Sequence, residues 1–206
     1  MRTLSKEQQN SITPDLAFQI LRDGNERFVS NLKANRDLLQ QVNETKEGQF
    51  PFATILSCMD SRTSAELIFD QGLGDIFSIR IAGNVLNDDI VGSMEFATKV
   101  VGTKIILVLG HTKCGAIVGA CNNVELGKLT GVLSKVKPAI EAEKTITDNR
   151  TGSNTDFVNK VTELNVHLTI DQIRKESPII AELEAQGAIK IAGGVYDVAT
   201  GKVAFF

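Results

Sequence analysis

The sequence has no long apolar run, no excess of basic charge and few cysteines. Its longest apolar run, Ile105 to Leu109, is far too short to cross a bilayer, which takes roughly 20 residues. A formal net charge of −3 lacks the basic balance of a nucleic-acid binder. Membranes and nucleic acids are therefore not expected partners, which leaves small molecules and copies of the chain itself. The N-terminal stretch MRTLSKEQQNSITPD has no apolar h-region, so a cytoplasmic protein is expected. Three cysteines, an odd number, do not make a disulfide framework and point instead to metal binding or thiol chemistry. There is no internal repeat or low-complexity tract, and 206 residues fit one domain.

What is present reads as an α/β protein: a mostly parallel central sheet flanked by helices, with a C-terminal antiparallel hairpin and an N-terminal helical arm. Thr13-Pro14 caps an amphipathic helix whose apolar stripe is Leu16, Ile20 and Phe28, running to about Leu32. A polar helix follows over Asp37 to Glu47, completing an arm over 1–47. Buried strands are predicted at Ala53–Cys58, Ile76–Ile81 and Lys104–Gly110, separated by helical stretches, the alternation of a parallel sheet. Ile90, Val91, Met94, Ala97 and Val101 share a helical face after the caps Asn87 and Asp88. A long polar helix over Asn154–Ser177 precedes a hairpin, Ala188–Val195 with Lys202–Phe206 across Ala199-Thr200-Gly201. Thr145–Asn154 reads as a flexible loop.

Ligands of open parallel sheets bind at the carboxyl ends of the strands, and two strands end in reactive residues. The first ends at Cys58-Met59-Asp60-Ser61-Arg62, the third at His111-Thr112-Lys113-Cys114-Gly115. A Cys/His/Cys set with one open position suits a catalytic zinc site. Against this stands the plainer reading that buried cysteines are small core residues and that His111 satisfies a loop carbonyl. A thiol hydrolase with Cys58 as nucleophile and His111 as base is a further alternative. A phosphatase Cys-x5-Arg motif fails at Ser64, and a dinucleotide fingerprint fails because Phe77 stands where the third glycine belongs. Cys121 reads as a core residue. His167 shares a solvated face with Lys160, Glu163, Asp171 and Arg174.

The two loops together resemble the paired signature C-x-D-S-R and H-x-x-C-G of β-class carbonic anhydrases. The resemblance extends from roughly Ala17 to the final hairpin through Gly48-Gln49-Phe50-Pro51, the Arg80-Ile81-Ala82-Gly83-Asn84 stretch and Glu95-Phe96-Ala97. It implies one zinc ion per subunit on Cys58, His111 and Cys114, with Asp60 as a further ligand only in a closed resting state. It also implies reversible hydration of carbon dioxide to bicarbonate and a proton by attack of zinc-bound hydroxide. Asp60 and Arg62 would be catalytic with Gln49, and Phe77, Ala82, Gly83 and Phe96 would line the carbon dioxide pocket. A homodimer or homotetramer is implied, with the N-terminal arm on a neighbouring subunit and the active site shared across the interface. A noncatalytic bicarbonate site in one branch of the family uses a tryptophan where this chain has Ile55. A zinc-containing scaffold without turnover is the alternative outside enzymes.

Overall fold

The computed structural model describes residues 2–206. In chain order the elements are α1 (Lys6–Ser11), α2 (Pro14–Val29), α3 (Leu38–Thr45), β1 (Ala53–Ser57), α4 (Ala65–Ile68), β2 (Ile76–Arg80) and a 3₁₀ turn (Ala82–Asn84). Then come α5 (Asp88–Glu95), which runs on into a π-helical segment (Phe96–Val101), β3 (Ile105–His111), α6 (Gly115–Cys121), α7 (Leu129–Ser134) and α8 (Lys137–Ala142). The chain closes with α9 (Thr155–Glu176), α10 (Pro178–Ala185), β4 (Lys190–Tyr196) and β5 (Val203–Phe205).

The strands form one sheet in the order β2-β1-β3-β4-β5, parallel throughout except for the antiparallel β4-β5 pair. All of β3 is buried, as a central strand covered on both faces must be. Each of its aliphatic side chains contributes about 1.5–3 kcal/mol of burial. Helix α2 lies on one face, where Ala17 and Leu21 join Ile55, Leu107 and Phe69 in one core. On the other, Leu56, Ile106 and Val108 pack with Val166, Ile170 and Ile173 of α9.

Capping chemistry accounts for the helix starts. The side chains of Thr13, Asn87 and Asn154 each accept a backbone N–H from the first turn they open. Helix α1 opens on a reciprocal box in which the Ser5 hydroxyl accepts from Gln8 N–H and the Gln8 side chain accepts from Ser5 N–H.

Three expectations change. Helix α9 is not polar all round: Thr162, Asn165 and Thr169 lie on its buried face, among Val158, Val161, Val166 and Ile170. The loop after α8 is tied down, because the buried Glu143 carboxylate accepts from the backbone N–H groups of Thr145 and Ile146 and from Arg150 Nη1 at 2.7 Å. The face that α2 buries is that of Ala17, Leu21, Gly24 and Asn25, against its own sheet. Ile20 and Phe28 are only half-buried there, and Leu16 is exposed.

Candidate metal centre

Strand register brings the two reactive loops together. Ser57 is opposite Leu109 in the β1–β3 pair, so Cys58, the next residue, emerges alongside the Gly110-His111 end of β3. Cys114 caps the start of α6, one turn beyond His111. The ligand atoms of Cys58, His111 and Cys114 lie within 4.8 Å of one another, and all three residues are buried.

Hydrogen bonding specifies each ligand's state. His111 Nδ1 is 2.9 Å from the Thr112 carbonyl, which can only accept, so the ring proton sits on Nδ1 and Nε2 presents its lone pair. That Nε2 is buried with no hydrogen-bond partner. The two sulfurs are 3.9 Å apart, too far for a disulfide and close to the roughly 3.8 Å that two thiolates take on a tetrahedral zinc. The hydrogen bond from Cys114 pulls the Cys58 thiol well below its ordinary value against the opposing effect of burial, and the Gly83 N–H assists. Cys114, holding the shared proton and buried, is pushed up. Two buried thiolates side by side require a cation. The orphaned imidazole nitrogen and the sulfur spacing both fit a soft divalent metal.

Asp60 stands outside this trio. Arg62 Nε donates to Asp60 Oδ1 at 2.9 Å and Arg62 Nη2 to Oδ2 at 2.8 Å, a bidentate pair, and the Arg62 backbone N–H also reaches Oδ1. The Arg62 hydrogen bonds hold the Asp60 carboxyl far below the ordinary carboxylate range, and Asp60 in turn raises Arg62. Both Asp60 carboxylate oxygens are thereby engaged by Arg62.

Of the residues expected in a carbon dioxide pocket, Gly83 is at the centre, its N–H 3.4 Å from Cys58 Sγ, and Ala82 adjoins it in the 3₁₀ turn. Phe77 is not beside it within this chain. Its register partner is Thr54, four residues before Cys58 and so about 13 Å down the strand. Phe96, exposed on the π-helical segment, packs near Phe77 with ring centroids 6.5 Å apart. Gln49 is exposed and lines a surface depression with Val42, Thr45, Leu73 and Gly74. Periodicity and motif assign these residues to elements without saying which end of the strand they occupy.

Two supporting residues, Thr63 and Asn165, have no assignment from the sequence, and a third, Arg80, matches there only a motif stretch and a part of the family's noncatalytic bicarbonate site. Thr63 Oγ1, buried, donates within 2.9 Å of both the Cys58 and Asp60 carbonyls. Arg80 spans from the edge strand to the same two carbonyls. Asn165 donates to the Gly83 carbonyl from α9. Only Asn165 carried a signal, an amide within an apolar stripe.

A parallel sheet carrying at its carboxyl edge a Cys-His-Cys cluster that could hold a metal ion, with a carboxylate clamped beside it, defines an α/β protein with a candidate metal centre. Residues 53–203 match the sequence profile of the family described as carbonic anhydrase. Carbonic anhydrase 2 of Mycobacterium tuberculosis is 36% identical over 92% of this chain and 91% of its own, and the carbonic anhydrase of Mycolicibacterium smegmatis 33% over 92% of each. Among solved structures, the β-carbonic anhydrase of Coccomyxa aligns with a TM-score of 0.71 at 26% identity, covering 80% of this chain and 75% of that one. That of Aspergillus fumigatus aligns at 0.70 and 25%, covering 80% and 79%. The chain belongs to the carbonic anhydrase family, of the β class, and the reaction of that family is the reversible hydration of carbon dioxide to bicarbonate and a proton.

Proposed function

We propose that Cys58, His111 and Cys114 hold one zinc ion and that Asp60 and Arg62 serve the hydration of carbon dioxide beside it. The observation that carries this is the buried, converging trio with its unpartnered His111 Nε2. When bound, zinc supplies the Lewis acidity that makes water nucleophilic near neutral pH. Two thiolates neutralise a divalent ion and weaken that acidity, so the neighbouring carboxylate matters more than at an all-histidine site. Arg62 keeps Asp60 ionised and turned away from the metal position. The Asp60 carboxylate then accepts a hydrogen bond from the attacking water and so turns a lone pair of the water oxygen toward the substrate carbon. Gly83 and Ala82 wall the site from the sheet side.

Gln49, Phe77 and Phe96 complete the substrate pocket only if a second copy brings them in, because in one chain they sit away from the sulfurs. The surface supports this assembly: Leu38, Leu39 and Val42 of α3, with Leu73, Phe96 and Val100, are exposed large apolar residues. This supports a homodimer or a larger assembly in which the arm offers the neighbour the exposed face of α3, while α2 stays packed on its own sheet. Thiols poised for metal rather than paired suit a reducing compartment, the cytoplasm. No helix among the described residues is long and apolar enough to cross a membrane.

The direct test is Cys58→Ser and Cys114→Ser: each should lose zinc and hydration activity together, read by metal analysis and stopped-flow hydration. Full zinc occupancy with parental rates in either variant would overturn the assignment.

A further inference from the structure

One polar group in the apolar heart of the molecule has no part in the chemistry above. Asn165 is 4% exposed, on the face of α9 that otherwise buries Val158, Val161, Val166 and Ile170. An amide in such surroundings is unfavourable unless hydrogen-bonded, and an aliphatic side chain would pack there at less cost. Its Nδ2 donates to the Gly83 carbonyl at 3.0 Å, across 82 residues of sequence. Gly83 is the residue whose own N–H reaches Cys58 Sγ.

The geometry of that glycine explains why it needs a tether. Gly83 has φ +71° and Asn84 follows at φ +44°, two successive left-handed residues. A Cβ on Gly83 would approach Ala116, on the helix that starts at Cys114, to 3.3 Å. The turn is thus wedged between the two cysteine loops in a conformation with little intrinsic preference. Its peptide orientation is what points an N–H at the sulfur. Asn165 grips the carbonyl of the same residue from a rigid 22-residue helix.

We infer that Asn165 is a positioning residue for the metal centre: by fixing the Gly83 turn it holds an N–H on Cys58 Sγ and sets that sulfur's orientation and donor strength toward the metal. A hydrogen bond to a thiolate withdraws electron density from it, so this bond leaves a bound metal more electrophilic than two unmodulated thiolates would. Without Asn165 the Gly83 carbonyl is an unsatisfied buried acceptor and the turn is free to rotate its N–H away. This inference rests on the metal reading given above.

The test uses Asn165→Leu, which keeps the branched shape of the side chain and removes the donor. Its control is Thr162→Val, which removes another buried polar group of the same helix, one whose hydroxyl bonds only within α9, to the Val158 carbonyl. Asn165→Leu should still take up stoichiometric metal at saturation. It should lose zinc to a competing chelator about 10- to 100-fold faster, as loss of an outer-shell partner does. The cobalt-substituted variant should show a shifted thiolate-to-metal charge-transfer band, while Thr162→Val matches the parent in both readouts. An unchanged exchange rate and band in Asn165→Leu, or an equal shift in Thr162→Val, would overturn the inference. A parent that binds no metal would instead sink the metal reading itself. Should Asn165→Leu not fold, the unsubstituted protein loaded with a spin-half cadmium isotope gives the answer: the Gly83 amide proton should show through-bond coupling to the metal, and its absence would overturn the inference.

Discussion

At the scale of single residues, the Asp60–Arg62 pair is the most exposed part of the machinery. The arginine side chain is nearly half exposed, so the pair adds little to stability, and its value lies in orientation. Two fork-like donations aim the carboxylate, and the Thr63 hydroxyl and Arg80 guanidinium hold the loop's carbonyls behind it. Arg62→Ala should therefore keep zinc and melt like the parent while hydrating carbon dioxide about 10²-fold more slowly, the scale of a lost proton-handling group. Asp60→Asn should behave alike, since the amide no longer accepts with full charge. Hydration rates at matched zinc content check both. A parental rate in Arg62→Ala would reduce the pair to a structural role. The motif made these residues and the three ligands legible in the sequence, because reactive residue types at strand ends are few. Asn165 and Thr63 were not, since a polar residue declares its role only through the partner it meets.

At the scale of elements, the caps announced α2 and α5 through Thr13 and Asn87, and the continuous apolar runs announced β1 and β3. The side on which a helix is buried was less legible. Thr162 bonds back to the Val158 carbonyl of its own turn, and both it and Thr169 pass as surface residues in a periodicity argument, while α1 is too short to show a period at all. The docking of the arm rests on a similar hidden device. Asp70, buried and at φ +46°, receives Arg27 Nε and Arg36 Nη1 at 2.6 Å each and the Ala34 N–H at 3.1 Å, tying the α2–α3 segment to the loop after α4. Burial alone would raise this carboxyl, but the Arg27, Ala34 and Arg36 donors outweigh it and hold the pKa below its ordinary value. A lowered folded pKa makes the contribution complete above about pH 4 and removes it as the pH falls through the folded value. Asp70→Asn should cost up to about 3 kcal/mol at neutral pH, where it leaves Arg36 buried without its counter-charge. The same variant should flatten the acid limb of the stability curve. Urea melts at neutral and acid pH measure both effects. An unchanged acid limb would mean that the Asp70 clamp is not what acid releases.

At the scale of the whole molecule, one chain brings Cys58, His111 and Cys114 together but leaves Gln49, Phe77 and Phe96 away from them. Gln49 and Phe96 are exposed and Phe77 is partly buried beside Phe96, and on the proposed reading an isologous pair of chains would give each centre those residues from the other chain. This division of labour distinguishes an assembly needed for catalysis from one needed only for stability. Leu39→Glu combined with Val42→Glu places charge on the exposed face of α3 without touching the core, so it should lower the sedimentation mass and the activity together. Subunit mixing is the sharper experiment. Cys58→Ser chains lack a metal ligand but carry an intact Gln49, and Gln49→Ala chains carry intact ligands but lack the glutamine. If Gln49 acts in the neighbour's site, a hybrid dimer contains one site with both parts intact, so an equimolar mixture refolded together should recover about a quarter of the parental sites, since half the dimers are hybrids and each has one good site of two. If Gln49 acts in its own chain, every site in the hybrid lacks either the ligand or the glutamine, and the mixture gains nothing over the average of its components. Activity of the mixed preparation, measured against the two separately refolded variants at equal total protein, decides between these outcomes. An additive result would withdraw Gln49 from the shared pocket.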